Sequence, residues 1–269
     1  MSASSVLVTL AVYGVGVTRL WRRAGLGQGV RVRQAVGFAC GCAALVIAFS
    51  PALHELSERR LFGHMLQHEL MMVVAAPFIA WSSPLVAFLW ALPDGARRTV
   101  AASFVPNAAN PVWRAVTAPW SVFLQYGAAL WVWHMPAAYA FAMEHAWAHG
   151  LEHLCFLVTA CLFWWGIAYG SQGRGRYGAA VVYVFVTGVH GGVLGALLTV
   201  APRVWYRPYL LQGTPGLSAL EDQQLAGLLM WIPSSIAFVV GGVMLFAAWL
   251  GHSDRVTRFA PSARWESQQ

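Results

Sequence analysis

The chain has 269 residues, 58% of them hydrophobic and only 10% charged, with a net charge of +7. A soluble domain carries about 25% charged residues. The composition therefore excludes an ordinary water-soluble fold, a disordered chain and a nucleic-acid binder with a phosphate-reading basic face. What it fits is an all-α polytopic integral membrane protein, a single transmembrane helical domain over residues 1–269 in contact with lipid. All 17 basic residues are Arg. Cys40, Cys42, Cys155 and Cys161 lie inside apolar runs, which argues against a secreted disulfide framework.

About seven spans are predicted, each an apolar run near the length a bilayer needs. The first covers residues 6–20. Residues 2–17 are uncharged and Arg19, Arg22 and Arg23 follow, an order that suits an uncleaved span with its N-terminus outside. The second covers residues 34–52 and the third residues 61–81, where Ser82-Ser83-Pro84 breaks it. Residues 85–92 are too short to cross and read as a kinked extension or a re-entrant segment. Residues 120–133, 147–169 and 177–200 supply the fourth, fifth and sixth spans. The seventh, residues 223–250, is long enough to need tilt.

Arginine counting sets the orientation. With the loop between the first two spans inside, 13 of the 17 fall inside: Arg19, Arg22, Arg23, Arg31, Arg33, Arg97, Arg98, Arg114, Arg174, Arg176, Arg255, Arg258 and Arg264. Only Arg59, Arg60, Arg203 and Arg207 fall outside. The positive-inside rule then puts the N-terminus outside and the C-terminus in the cytoplasm.

On this topology His54, His64 and His68 lie at the outer end of the third span and His134 at the outer end of the fourth. His145, His149 and His153 lie at the outer end of the fifth. His190 is near the middle of the sixth, and His252 alone falls on the inner side. Glu55, Glu58, Glu69, Glu144, Glu152, Glu221 and Asp222 are also outer. Ionisable residues inside a span are costly and mark functional sites. His64 and His68 share a helix face, which Met72 continues. His145, His149 and His153 repeat that step. An i, i+4 pair can set two imidazoles on one metal. His68 and His153 each sit about 9 Å along their helices from the outer end, so two spans present histidine pairs at one depth. Met65, Met71, Met135, Met143 and Met230 lie on or near this half as well. Imidazole suits copper, zinc and iron, and thioether favours Cu(I). Glu69, Glu152 or Asp222 can complete a site or orient its histidines. The expectation is a copper site, with zinc as the alternative metal, open to the outer face.

Blander readings stand beside it. His54, His145 and His252, taken singly, read as interfacial or wet residues. The histidine pairs can instead form an interhelical hydrogen-bond network with Glu and Gln. Methionine stripes are usually apolar filler. Cys40 and Cys42 face different ways on one helix. Gly191, Gly192 and Gly195 favour close helix contact. Two other chemistries compete. His149-x-x-Glu152-His153 fits the H-x-x-E-H pattern of a zinc hydrolase. His190, beside Gly188, Gly191 and Gly192, is the best candidate for an axial haem ligand in a b-type membrane cytochrome.

Three blocks carry a family likeness. The first is Ser50-Pro51-Ala52-Leu53-His54, His64-Met65-Leu66-Gln67-His68 and Ala75-Ala76-Pro77. The second is Trp133-His134-Met135-Pro136, His149-Gly150-Leu151-Glu152-His153 and Phe163-Trp164-Trp165. The third is Asp222-Gln223-Gln224-Leu225-Ala226-Gly227 with Met230-Trp231-Ile232-Pro233. Together they resemble the multi-span CtaG family of cytochrome c oxidase assembly factors, associated with caa-type oxidases, over roughly residues 50–250. The resemblance implies a non-enzymatic role in the bacterial plasma (inner) membrane. It implies copper taken from a donor protein and delivered to an oxidase subunit. It carries the family's histidines onto His54, His64, His68, His134, His149 and His153, accompanied by Asp222, Gln223 and Gln224. Met72 and Glu152 join the expected ligand set from the helical spacing. Glu69 stands where the family block has an apolar residue, and an added carboxylate changes metal preference. A scaffold that holds an oxidase subunit without metal is the plainest alternative.

Overall fold

The computed structural model describes residues 3–104, 111–170, 176–209 and 216–258; among them it holds helices and connecting turns and no strand. α1 (Ala3–Ala24) and α2 (Val32–Ala48) form a hairpin whose loop uses Gly25, Gly27 and Gly29, all at positive φ, where a Cβ would clash. Ser50 caps α3 (Pro51–Arg59), accepting the Leu53 amide at 3.3 Å, with Pro51 in the first turn. Both are ordinary helix-start chemistry. α4 (Leu61–Glu69), a π-turn over Leu70–Ala75 and α5 (Ala76–Trp81) then run on as one rod. α6 (Pro84–Ala91) follows Ser83 at φ 54°. The remaining helices are α7 (Asp94–Phe104), α8 (Pro111–Val116), α9 (Pro119–Trp133), α10 (Pro136–Glu144), α11 (Ala146–Gly170), α12 (Arg176–Val200) and α13 (Ala219–Arg258).

Among the described residues four helices, α1, α11, α12 and α13, are long and apolar enough to cross a membrane. Two bent pairs, α2 with α3 at 49° and Leu61–Trp81 with α6 at 63°, raise the number to six. α9, the expected fourth span, has 15 residues. At 1.5 Å per residue it is about 22 Å long, short of a hydrocarbon core of about 30 Å. Val8, Phe185, Val239 and Val243 are among many large apolar side chains left exposed, as a lipid-facing surface requires.

Pairwise contacts decide what residues 85–92 do. Gln67 donates to the Ala48 carbonyl and Gln34 to the Trp81 carbonyl, so the third rod is antiparallel to α2 and parallel to α1. α6 then ascends in register along α1: Tyr13 donates to the Ser82 carbonyl, Gly16 meets Ala87, and Arg19 donates to the Ala91 carbonyl. α6 therefore continues in the direction of its rod as a kinked extension. Its far end joins Arg23 and Arg97 to Asp94, at the opposite end of α1 from the level of His64. Of the other arginines used for orientation, Arg174 and Arg264 lie outside the described residues. Arg176, Arg255, Arg258 and His252 are described only as helical backbone.

Three apolar clusters hold the bundle. One packs α1, α2 and α6 around the Tyr13–Phe38 stack, with ring centroids 3.8 Å apart. A second gathers Met65, Tyr139, Leu198 and Tyr206, and a third gathers Phe156, Phe163 and Phe238. α12 and α13 cross where Gly195 faces Gly227; a Cβ on Gly227 would lie 2.6 Å from the Gly195 carbonyl oxygen. Only residues without a side chain permit that approach. The histidines sit where the second and third clusters meet.

Candidate metal centre

α4 and α11 each put one polar stripe on the face that meets the other. His64 and His68 are separated by one turn on α4, with ring centroids 4.4 Å apart. His149 and His153 are separated by one turn on α11, at 4.3 Å. The pairs interlock: His64 lies 5.2 Å from His149 and His68 lies 5.3 Å from His153, centroid to centroid. Glu152 shares the inward face of α11. One of its oxygens is 3.8 Å from both His64 Nε2 and His68 Nε2. Two overlapping sets bring one donor atom per residue within 4.8 Å of one another: His64, His149 and His153, and His64, His68 and Glu152. His68 and His153 each lie seven residues into their helices, about 10 Å of rise, as the sequence pattern expects.

The donor atoms are shut from solvent and make no hydrogen bonds to one another. Both nitrogens of His64 and of His68, one nitrogen each of His134, His149 and His153, and both oxygens of Glu152 are buried without a hydrogen-bond partner. Each buried unsatisfied polar atom costs about 1–3 kcal/mol. A fold gains nothing from concentrating nine such atoms in one place unless something else binds them. The two groups could hold a metal ion, which imidazole and carboxylate both accept.

Neighbouring polar residues bond to the backbone around the histidines. Asp222 is buried at the start of α13, and its two oxygens accept the backbone amides of Leu61 at 2.8 Å and Phe62 at 3.1 Å. Expected as a ligand, it instead caps α4, the helix that carries His64 and His68. Gln223 accepts from the Trp205 amide and donates to the Arg203 carbonyl, pinning the α12–α13 connection. His134 ends α9. Its Nδ1 donates to the Leu130 carbonyl at 2.7 Å, which leaves Nε2 free to bind. The ring of His68 is 6.0 Å from that of His134. Met72 is buried within the π-turn, next to the cluster. His54 is exposed on α3, 3.4 Å from Glu58, and belongs to neither of the converging donor sets. His145 is likewise exposed.

Several residues of the site carried no sequence signal. Tyr139 packs its ring 5.1 Å from His64, and its hydroxyl meets that of Tyr209 at 2.7 Å. Tyr209 passes the chain on to the Ser57 carbonyl, and Tyr206 donates to the His134 carbonyl. Phe156 closes the floor, 4.7 Å from His68. The π-turn has a local cause that is legible afterwards. Pro77 has no N–H to give to the preceding turn, and the Met72 carbonyl instead accepts the Trp164 indole N–H at 3.0 Å. Such turns inside helices recur at functional sites.

His190 is engaged elsewhere. Its Nε2 accepts the Trp131 indole N–H at 2.7 Å and its ring lies against Gly127. Axial haem ligation through that nitrogen would break the bond and leave the indole unpaired.

The model of the cytochrome c oxidase caa3 assembly factor family (Caa3_CtaG) matches residues 11–252. The chain belongs to this family. An uncharacterized protein of Mycobacterium leprae (strain TN) is 22% identical over 261 residues, covering 94% of this chain. The chain spans about 40% of that relative's length. No solved structure matches. Every histidine and acid of the cluster falls inside the family match, so the cluster sits in the part of the chain that the family model covers.

Proposed function

We propose that this assembly factor binds copper as cargo at His64, His68, His149, His153 and Glu152, on the non-cytoplasmic side of a bacterial plasma membrane. It accepts the ion from a donor protein and passes it to a subunit of cytochrome c oxidase. The single observation that carries the reading is the convergence of four imidazoles and one carboxylate whose buried donor atoms have no partner. The arginine distribution supports the sidedness: Arg19, Arg23 and Arg97 gather at the end of the bundle away from the histidines. The role is non-enzymatic. The H-x-x-E-H hydrolase reading suits the site less well, because Glu152 is fully buried against His64 and His68. A general base needs to reach a water beside a substrate.

The test is copper bound to the purified protein in lipid nanodiscs, together with oxidase activity in cells. Wild type should hold at least one copper per chain. His149→Ala/His153→Ala should bind less copper than wild type and should lower oxidase activity. A double variant that binds as much copper as wild type and still matures the oxidase would refute the proposal. Hydrolysis that depends on zinc and vanishes in Glu152→Gln would favour the enzyme instead.

A further inference from the structure

A second set of donors lies just beyond the cluster, deeper along the helices. A cavity of about 20 Å³ is lined by His68, Glu69, Met72, His134, Met230 and Ser234, among others. That is room for one water-sized occupant. α4 supplies His68 and Glu69, the π-turn Met72, the end of α9 His134, and α13 Met230 and Ser234. His134 is only 4% exposed. With Nδ1 committed to the Leu130 carbonyl, its unpartnered Nε2 is a ready acceptor or ligand. Both methionines are buried. The Ser234 hydroxyl donates to the Glu69 carboxylate, 2.8 Å from each oxygen, and so fixes its orientation.

We propose that this chamber is a second metal station, selective for a soft monovalent cation, Cu(I). The proposal rests on the reading of the adjoining cluster as a copper centre and adds a distinct site below it. Thioether with imidazole is the donor combination that selects Cu(I), whereas the outer cluster offers imidazole and carboxylate alone. His68 borders both stations, with rings 4.4 Å from His64 and 6.0 Å from His134. A cation can thus be handed inward by keeping His68 as a ligand while exchanging His64 for His134.

Zn(II) and Ag(I), the latter a redox-inert stand-in for Cu(I), are titrated separately into the full chain in nanodiscs. Stoichiometry and sulfur scattering in X-ray absorption are the readouts. Wild type should bind one Zn(II) and two Ag(I), one of them sulfur-ligated. Met72→Leu/Met230→Leu should fall to one Ag(I), lose the sulfur signal and keep its Zn(II). Leucine conserves methionine's volume well enough to preserve the fold, and unchanged zinc binding verifies it. A double variant that keeps the second Ag(I), or a wild type without a sulfur-ligated ion, overturns the station. His149→Ala/His153→Ala separates this failure from that of the outer site: it should lose Zn(II) and keep the sulfur-ligated Ag(I). Zinc retained there defeats the outer reading, while loss of the sulfur-ligated ion from the same variant defeats the inner station.

Discussion

Replacing Asp222 separates a residue that positions ligands from one that is a ligand. Its two oxygens hold the first two amides of α4, at 2.8 and 3.1 Å, in a buried setting. A hydrogen bond to a charged group contributes about 1.5–3 kcal/mol. The two bonds share one carboxylate, so Asp222→Ala should cost about 3 kcal/mol in all. Asp222→Asn keeps one acceptor oxygen and turns an N–H toward the other amide, so roughly half of that loss is expected. The assay is unfolding in mixed micelles, read with metal stoichiometry and the X-ray absorption spectrum of the folded fraction. Both variants should unfold more easily, in the order Ala worse than Asn, with the metal spectrum of whatever remains folded unchanged. If Asp222→Ala keeps wild-type stability but loses the ion or alters its spectrum, Asp222 is a ligand and the capping argument is wrong.

Three further outcomes follow from the same contacts. Zinc at a hundred times its dissociation constant should stabilise the folded chain by about 2.7 kcal/mol, seen as a raised melting temperature. The gain should vanish in His149→Ala/His153→Ala, and a gain that persists would place the ion elsewhere. His190→Ala should cost about 1 kcal/mol through its lost bond to Trp131 and leave metal binding intact. A Soret band that disappears in that variant would instead establish haem ligation. At the arginine-rich end, the hydrogen bond from Arg23 holds the Asp94 carboxyl below its usual range. Its small contribution is therefore fully present above about pH 4 and is lost as the pH falls through the lowered folded value. Melting curves of wild type and Asp94→Asn should differ at neutral pH and converge in acid; a difference that grows on acidification would reverse the sign.

The pattern of histidines was readable because helical geometry is periodic. Four-residue spacing alone puts His64 beside His68 and His149 beside His153. Equal distances from the helix starts put the two pairs at one depth. Asp222 carried the same apparent signal, an acid near the outer end of a span. Nothing in the sequence distinguishes an acid that holds an ion from one that holds a helix end. His54 lies in the same family block as His64, yet the corner between α3 and α4 leaves it on the surface. The tyrosine chain from Tyr139 through Tyr209 to Ser57 joins residues far apart in sequence, which no local periodicity encodes.

Membrane insertion, helical class and the level of the histidines were determined by the sequence alone. Each depends on quantities summed along one segment, its apolar length, its flanking charge and its turn-by-turn spacing. Which of those side chains meet, and which serve the backbone instead, was decided only by tertiary structure. A ligand set is a matter of angles between rods, and those angles are fixed by packing between distant segments such as Gly195 against Gly227.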